Sequence, residues 1–502
     1  MAETKREIER KYESDDSGLP DLTGVAGVET VLDKGVAELD ATYYDTADER
    51  LAASSITLRR RTGGSDAGWH LKVPVAQGVR DEIRAPLSDT LPDELAALVR
   101  SRVRDAELLP VVRLRSARDV RDLLDTEGRL LAEVSVDAVH AERLTGGDGV
   151  AQWTEIEVEL ADGGDPGFLD KVEKRLRKAG VQPSGSSSKL ARALAETAPK
   201  KKRRRAGSRK DPVTAGDHVL AYVRAQRDAI VELDPAVRQD VEDSVHSMRV
   251  ATRRMRGTFR SYGKILDRTV TDPIGEELKW LAGELGVDRD HEVLTERLTA
   301  ALDDVPGTLV SGPVVERLGL WASARQGGAR GRLIGILDSR RYLALLDTLD
   351  ALIAHPPLLE AAGRKPGKVI TKAVKKDFGK VSGLVEQALE LEPGPDRDIA
   401  VHEARKKAKR TRYSAEAAKP ALGTPAKDLV TSMKSLQTLL GDHQDSVMAR
   451  QTLRELSAVA HAAGESAFTY GLLYGREERR AATVEAQLSG FWDGIKNGAA
   501  DL

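Results

Sequence analysis

Charged side chains recur at every second residue in several segments of residues 1–198. Because successive side chains of a strand point to opposite faces, such a set shares one face if its segment is extended. Carboxylate oxygens are the hard ligands that Mg²⁺ and Mn²⁺ prefer, so the acidic faces could hold divalent cations. The acidic residues are Glu7, Glu9, Glu133, Asp137, Glu155, Glu157 and Glu159.

Basic side chains follow the same alternation, but mostly in other segments. They are Lys11, Arg59, Arg61, Lys72, Arg80, Arg84, Arg113 and Arg115. A guanidinium group grips phosphoryl oxygens in a bidentate manner, and lysine adds a compact point charge. A merely solvated face tends to intersperse the two signs, whereas here they are segregated. The pattern indicates a polyanion with divalent cations as the ligand.

These residues lie in segments whose patterns predict strands, with helical patterns between them. The strand-like runs are Lys5–Tyr12, Ala41–Tyr44, Ser55–Arg61, Trp69–Pro74, Arg80–Pro86, Val111–Ser116, Leu130–Val136 and Trp153–Leu160. The helical patterns are Val25–Val36, Asp93–Val103 and Pro166–Ala179. The first half is therefore predicted to be an α+β domain with an antiparallel sheet.

Each strand alone fits an ordinary half-buried sheet with a wetted outer face. If the sheet closes and amphipathic helices cover its apolar face, the charged faces converge on a lumen. Crowded like charges are costly there unless a ligand fills the lumen. Phosphoryl transfer needs little beyond positioning and charge neutralisation, and a metal ion can lower the pKa of an attacking water.

The run Glu7–Lys11 reads EIERK and matches the ExExK signature of CYTH domains, the triphosphate tunnel metalloenzymes. Further matches follow in the family's order: Tyr43–Thr46, Leu58–Arg61, Trp69–Lys72, Arg80 with Glu82, Arg113 with Arg115, Asp137, Glu155–Leu160 and Ser188–Leu190. The chain resembles that family over residues 4–197. The resemblance implies an eight-stranded antiparallel tunnel barrel that cleaves triphosphate substrates with Mg²⁺ or Mn²⁺.

The resemblance also implies roles for individual residues. Those expected to bind metal are Glu7, Glu9, Asp137, Glu155, Glu157 and Glu159. Those expected to grip the triphosphate are Lys11, Arg59, Arg61, Lys72, Arg80, Arg113, Arg115 and Lys189. Lys11 or Lys72 could donate a proton to the leaving phosphate, and the sequence does not choose between them.

The charge distribution divides the chain in two. Residues 1–198 carry 28 basic and 38 acidic groups, whereas residues 199–210 (PKKKRRRAGSRK) carry 8 basic and no acidic groups. The second segment has almost nothing apolar to bury, so a disordered basic linker is predicted over 199–211. The predicted domains are 1–198 and 212–502.

From Val213 onward the apolar spacing of three to four residues predicts an all-α domain. An internal repeat appears when His246 is aligned with His402, at an offset of 156 residues. With the offset shortened by one, 281–286 (LAGELG) falls on 436–441 (LQTLLG), and Asp290 falls near Asp445. Two homologous helical units are predicted.

Basic stripes run along one helix of each unit, and neither stripe contains a carboxylate. Their members are His246, Arg249, Arg253 and Arg256 in the first unit, and His402, Arg405, Lys409 and Arg412 in the second. Unrelieved like charges on two related helices indicate an anion-binding surface. This half resembles a CHAD domain over about 212–490, which implies polyphosphate binding. For His291 and His443 a structural role is expected.

Composition excludes several classes of protein. The chain has no cysteine, so disulfide scaffolds and thiol chemistry are excluded. Few aromatic residues (4%) and a net charge of −2 argue against nucleic acid as a partner. No apolar stretch is long enough to span a membrane, so we expect a cytoplasmic protein, with association with polyphosphate granules left open.

Two classes of function stay open at this point. The first is a divalent-metal-dependent triphosphatase, with inorganic triphosphate as the expected substrate and inorganic polyphosphate as the partner of the helical half. The second is a binding protein that holds polyphosphate without catalysis. Within the family, adenylate cyclase, thiamine triphosphatase and RNA triphosphatase activities share the barrel, and the sequence does not separate them.

Overall fold

The chain divides into two units, residues 1–208 and 209–502, which are described separately. The computed structural model describes residues 3–14, 18–199, 211–323 and 329–498. The predicted basic linker therefore falls almost wholly outside the described residues. In the described ranges, no helix combines the length and the apolar character needed to cross a bilayer.

In the described part of the first unit, eight antiparallel strands form a closed barrel in the order β1-β5-β4-β3-β2-β6-β7-β8, as predicted. They are β1 (Glu3–Ser14), β2 (Thr30–Asp45), β3 (Thr57–Thr62), β4 (Gly68–Ala76), β5 (Val79–Ala85), β6 (Leu109–Leu124), β7 (Leu130–Arg143) and β8 (Val150–Leu160). The first strand closes the barrel by changing partners along its length. Its residues 3–8 pair with β5, and residues 9–14 pair with β8.

Two helices cover the apolar outer face of the barrel. Helix α2 (Asp93–Val103) packs Leu95 and Val99 on apolar side chains of β3, β4 and β5. Helix α3 (Gly167–Lys178) packs Leu169 and Val172 on β7 and β8. With their apolar faces turned to these helices, the strands direct the alternate, charged side chains inward.

The predicted helix over Val25–Val36 is wrong, because most of this segment belongs to strand β2. Gly24 and Gly27 adopt positive φ angles of 78° and 93° in the turn before the strand, a region that helices exclude. The apolar residues are spaced as in a helix only because a turn and an irregular strand follow one another. The register of β2 against β6 shifts between Asp33 and Gly35.

The Tyr43–Thr46 motif has a structural role at its aspartate. Asp45 is fully buried after β2, and its carboxylate accepts hydrogen bonds from three backbone N–H groups. The donors are Thr46 at 2.7 Å, Leu51 at 2.9 Å and Ala52 at 2.9 Å. Two of them belong to the short helix α1 (Arg50–Ala53), so Asp45 anchors this helix to the end of β2.

The second unit is all-α in its described part, as predicted. Its helices are α5 (Ala215–Arg238), α6 (Ser244–Ser261), α7 (Arg268–Glu284), α8 (Val287–Asp303), α9 (Val314–Ser323), α10 (Ala329–Leu337), α11 (Arg340–Ala354), α12 (Pro366–Glu390), α13 (Pro395–Leu422), α14 (Thr424–Ala462) and α15 (Phe468–Gly498). Helices α6 and α13, which carry the basic stripes, bury Met248 and Met255, and Ala404 and Ala408, in one core. This packing directs the two stripes away from the core.

Candidate functional site

A cavity of about 600 Å³ occupies the barrel interior. The predicted residues that line it are Glu7, Glu9, Lys11, Arg59, Arg61, Lys72, Arg80, Glu157, Glu159 and Lys189. Five of the eight carboxylates in the described lining come from the adjacent strands β7, β8 and β1, and five of the ten cations come from the adjacent strands β5, β4 and β3. Lys5 and Lys11 also lie on β1, and Glu82 lies on β5. The wall therefore has an acidic arc and a basic arc.

On the acidic arc the strand register brings carboxylates together. Glu9 of β1 lies directly opposite Glu159 of β8, and Lys11 lies opposite Glu157. Like charges in such positions are destabilising unless a cation lies between them. The Lys11 ammonium contacts Glu157 and lies 3.2 Å from Glu9 Oε1. Burial would lower the pKa of Lys11, but Glu157 and Glu9 hold it above its usual value.

Three buried carboxylates meet at the inner end of the acidic arc. Oxygen atoms of Asp137, Glu155 and Glu157 lie within 4.8 Å of one another. Lys189 Nζ lies 2.9 Å from Asp137, 2.7 Å from Glu155 and 2.6 Å from Glu157. Burial alone would raise the pKa of Glu157, but Lys11, Lys189 and Arg118 hold it well below its usual range. Lys189 and Arg118 likewise hold the pKa of Asp137 below its usual value, so Asp137 and Glu157 stay ionised, as ligands of Mg²⁺ or Mn²⁺ must be.

Glu7 has a different electrostatic environment from these three. Its Oε2 atom accepts a hydrogen bond of 2.5 Å from Lys72 Nζ. Burial raises the pKa of Glu7 to about 7, although the nearby Lys72 ammonium opposes this shift. A carboxyl group with such a pKa exchanges protons near neutral pH, which is typical of functional sites.

Glu82 organises the cations of the basic arc. Its Oε1 atom lies 2.9 Å from His70 Nδ1, 3.5 Å from Lys72 Nζ and 3.6 Å from Arg59 Nη2. Its other oxygen contacts the guanidinium of Arg84. Burial alone would raise the pKa of Glu82, but His70, Lys72 and Arg59 lower it strongly. The negative charge of Glu82 fixes Lys72, Arg59 and Arg84 in the wall of the cavity, while burial lowers the pKa of His70 to about 4 and leaves it a neutral hydrogen-bond partner.

Helix α4 (Lys189–Glu196) fills one end of the barrel and places Lys189. Ser188 caps the helix, because its hydroxyl accepts a hydrogen bond of 3.1 Å from the Ala191 N–H group. Leu190 and Ala193 pack inside the barrel on an apolar cluster that includes Val112, Leu114, Val139 and Trp153. The first residue of the helix therefore projects toward the carboxylates, while its apolar face closes that end.

A second cavity, of about 980 Å³, lies in the helical unit. Helix α6 lines it with His246, Arg249, Arg253, Arg256 and Arg260, and helix α13 with His402, Arg405, Lys406, Lys407, Lys409 and Arg410. Glu403 and Asp445 are the carboxylates in this lining. The two basic stripes that the repeat predicts thus face one another in one strongly positive pocket.

Lys409 lies among the arginines of both stripes. Burial, together with the nearby guanidiniums of Arg405, Arg253 and Arg249, lowers the pKa of Lys409 to about 7. Such a shift arises where an ammonium group is buried among other cations. An anion bound beside Lys409 would favour its charged form.

Family models match both units. A CYTH domain model matches residues 5–194, and a CHAD domain model matches residues 221–454. Two uncharacterized proteins of Mycobacterium tuberculosis, from strains CDC 1551 and H37Rv, are each 40% identical over 499 residues, which is 96% of this chain and 94% of theirs. The chain belongs to the CYTH–CHAD family. Its CYTH domain points to an activity of the triphosphate tunnel metalloenzyme type.

Several solved structures resemble parts of the chain. PptA from Streptomyces chartreusis is 20% identical with a TM-score of 0.48, over 56% of this chain and 99% of that one. The CHAD domain from the plant Ricinus communis is 22% identical with a TM-score of 0.42, over 58% and 93%. A putative adenylyl cyclase from Hippeastrum, described as having a dominant triphosphatase activity, is 18% identical with a TM-score of 0.26, over 40% and 99%.

Arg113 and Arg115 do not reach the tunnel of the CYTH domain, contrary to the prediction. Their side chains are 39% and 54% exposed on the outer face of β6, and Arg113 forms an ion pair of 2.5 Å with Asp40. The prediction failed because the apolar residues of β6 were assigned to the outer face. Val112 and Leu114 instead point inward, where they meet helix α4.

Arg118 is the arginine that β6 contributes to the tunnel, and sequence reasoning missed it. It forms a bidentate pair with Asp137 at 2.7 and 2.8 Å and donates to Glu157 at 2.9 Å. Burial would lower the pKa of Arg118, but Asp137 and Glu157 hold it above its usual value. Its position in the strand could have identified it. Residues 112, 114 and 118 are separated by even numbers of positions, so Arg118 lies on the same face of β6 as Val112 and Leu114.

In the CHAD domain, Arg412 is not among the pocket residues, contrary to the predicted stripe. Its Nε atom lies 3.4 Å from Glu416, one helical turn later, and its guanidinium lies over the Tyr413 ring. Arg410 lines the pocket instead, although it also donates to Asp377 at 2.7 Å. The i,i+4 carboxylate thus removes Arg412 from the stripe.

The remaining histidines of the CHAD domain lie away from the cations of the pocket. His443 is buried, with Nε2 3.0 Å from Glu485 and 3.3 Å from Asp398. Both carboxylates also pair with arginines, Arg397 and Arg450, at 3.2 Å. His291 stacks on Trp321 at a ring distance of 4.2 Å. The side chain of Asp290, the predicted counterpart of Asp445, lies outside the described residues.

Proposed function

We propose that the CYTH domain hydrolyses a triphosphate with Mg²⁺ or Mn²⁺, with inorganic triphosphate as its substrate. The observation that supports the proposal is that one closed tunnel gathers carboxylates, mostly on β7, β8 and β1, and cations, half of them on β5, β4 and β3. A chain of linked phosphates needs cations along its oxygens, and its metal ions need carboxylates. Both requirements are met within a single cavity.

Different residues of the tunnel would bind the metal and the phosphoryl oxygens in such a reaction. Asp137, Glu155 and Glu157, together with Glu7 and Glu9 of β1, would hold the metal, which supplies Lewis-acid chemistry and lowers the pKa of a bound water. Arg59, Arg61 and Arg80 would bind phosphoryl oxygens, as would Arg118. Charge neutralisation by these cations is the main catalytic requirement of phosphoryl transfer.

Lys72 and Lys11 are the candidates for donating a proton to the leaving phosphate. Each ammonium group contacts a carboxylate of the tunnel, Glu7 in one case and Glu157 in the other. Lys72 also lies 3.5 Å from Glu82, so it stands between the acidic and basic arcs. An amine in that position can accept a proton from a carboxyl group of the acidic arc and release it to a phosphate that is bound by the basic arc.

Phosphate release from inorganic triphosphate with each metal tests this proposal. The wild-type chain should release phosphate, and Glu7→Gln or Glu157→Gln should lower kcat/KM by about a hundredfold or more, which is the usual range for such groups. Asp119→Asn is a matched control, because this carboxylate lies outside the tunnel lining and pairs with Arg121 at 2.7 Å. No release by the wild-type chain from triphosphate would refute the proposal.

We further propose that the CHAD domain binds inorganic polyphosphate in the pocket between α6 and α13. Support comes from the cations of both stripes around one cavity and from the lowered pKa of Lys409. Retention on immobilised polyphosphate tests it. The wild-type chain should be retained and should elute at rising salt, whereas retention that is unchanged by Arg253→Ala with Arg405→Ala would contradict the proposal.

A further inference from the structure

Each of the two helical repeats places one arginine of its basic stripe against a glycine. Arg249 on α6 lies over Gly286, the residue between α7 and α8, and Arg405 on α13 lies over Gly441 of α14. The arginines are 156 residues apart and the glycines 155, so both pairs occupy corresponding positions of the repeat. The same arginine–glycine packing therefore occurs in both copies.

The packing depends on the missing side chain of the glycine. A Cβ atom on Gly286 would lie 2.6 Å from Nε of Arg249 and still closer to Cζ and Nη2, which is far inside van der Waals distance. A Cβ atom on Gly441 would lie 3.3 Å from Nη2 of Arg405, which is tight but less severe. An added methyl group would have to displace the guanidinium in the first case and crowd it in the second.

Backbone conformation alone does not explain either glycine. Gly286 has a φ of −111°, which any residue can adopt. Gly441 lies inside the long helix α14, where glycine is the least favourable residue apart from proline. Alanine would suit the helical backbone at Gly441 better, so the space over that glycine is the property that remains. Gly286 is the N-cap residue of α8, where glycine is preferred over alanine, and the short distance to Arg249 adds a second requirement for it.

We infer that Gly286 and Gly441 are positioning residues for anion binding: each provides the space in which one arginine, Arg249 or Arg405, is held toward the pocket. A side chain packed against backbone keeps its N–H donors directed at a ligand and loses less conformational freedom when the ligand arrives. The inference rests on the proposed polyphosphate binding and assigns the two residues that prepare the pocket for it.

Three alanine variants of the full chain test the inference, with a polyphosphate of defined length as the probe. Gly286→Ala should weaken binding by about tenfold, as expected when one charge-assisted hydrogen bond to the ligand is removed, and Gly441→Ala should weaken it less. Gly383→Ala is the matched control, because Gly383 lies in helix α12 outside the pocket lining and a Cβ atom there would meet nothing within 4 Å. Its affinity should equal that of the wild-type chain.

Thermal unfolding and a double-mutant cycle separate positioning from a loss of structure. Because the displaced atoms are the end of a flexible side chain, Gly286→Ala should lose only the small stabilisation of an N-cap glycine and stay folded at the assay temperature, and Gly441→Ala should unfold at the wild-type temperature or above it. In an Arg249→Ala background, Gly286→Ala should have no further effect on affinity. An equal loss in that background would show that the glycine does not act through Arg249 and would overturn the inference.

The outcomes also distinguish this inference from the proposed function. If the wild-type chain binds no polyphosphate, the proposed function fails and the inference fails with it. If the wild-type chain binds and Gly286→Ala binds equally well, only the inference is overturned.

Discussion

Lys189 Nζ lies 2.6 Å from Glu157 Oε1 and also contacts Asp137 and Glu155, so one ammonium group bridges three buried carboxylates. The carboxylates come from two neighbouring strands, and the lysine comes from the helix that fills the end of the barrel. This one side chain therefore links the stability of the barrel to the carboxylates that we propose as metal ligands.

Lys189→Met should destabilise the chain without metal by about 3–5 kcal/mol, because it leaves buried charges without their partner. Added Mg²⁺ or Mn²⁺ should restore part of the stability, since a divalent cation can replace the ammonium group. Thermal unfolding with and without metal measures both effects. Lys178→Met, at the exposed end of α3, is the control, and an equal response of the two variants to metal would contradict the prediction.

Arg118→Ala should lower kcat/KM for triphosphate by about tenfold or more, because the tunnel loses a guanidinium that also holds Asp137 and Glu157. Arg113→Ala is its control on the same strand. It removes only a partly exposed ion pair with Asp40, and activity should change less than about twofold. Steady-state kinetics of the two variants decide whether β6 serves the tunnel through Arg118 or through its outer arginines.

Polyphosphate binding should depend steeply on salt, because the ligand exchanges its counterions for protein cations. Replacing Arg249, Arg253, Arg405 and Lys409 with alanine should weaken binding strongly. The slope of log K against log salt should fall by about 0.7 for each protein cation that no longer pairs with a phosphate. Triphosphate hydrolysis should be unchanged, since these residues belong to the other unit. A variant with the wild-type slope would show that the stripes do not bind the ligand.

Polyphosphate affinity should also fall as the pH rises from 7 to 9. The pKa of Lys409 is about 7 in the free pocket, and an anion beside the ammonium raises it, so binding takes up a proton. Above the free pKa the affinity therefore falls, by at most about tenfold per pH unit for one proton. Lys409→Arg stays charged and should remove this fall, and an unaltered profile in that variant would assign the dependence to another group.

Asp45→Ala should lower the free energy of unfolding of the barrel by about 3 kcal/mol, because three backbone N–H donors lose their acceptor inside the protein. Asp45→Asn should cost less, since the amide oxygen retains part of the acceptor capacity. Urea unfolding monitors both variants. Equal midpoints for the alanine variant and the wild-type chain would mean that water replaces the missing hydrogen bonds.

Much of the barrel could be predicted from its sequence because its strands alternate charge with apolar residues. The rule failed on β6, where Val112 and Leu114 face inward although they are apolar. On β6, helix α4 determines which face of the strand points into the barrel, and this helix lies some 75 residues later in the chain. A pattern within one strand carries no information about such a partner. It therefore predicts Arg113 and Arg115 as the tunnel residues of β6 in place of Arg118.

The internal repeat predicts the anion pocket, but it does not predict every residue that lines the pocket. Helical spacing places Arg412 in the stripe, whereas Glu416 draws it away. The packing of Arg249 on Gly286 was also beyond prediction, because the repeat aligns both residues without showing that they touch. Residue spacing predicts which side chains share one face of a helix. The packing of neighbouring helices decides which residues that face contacts.

The divided pairing of β1 sets the order in which the barrel can be assembled during synthesis. Residues 9–14 are synthesised 140–150 residues before their partners on β8, which are residues 154–159. Pairings so distant along the chain form late and slow the folding of a domain. Until then the second half of β1 is an unprotected sheet edge, so nascent chains that lack β8 should be the ones that aggregate or recruit chaperones.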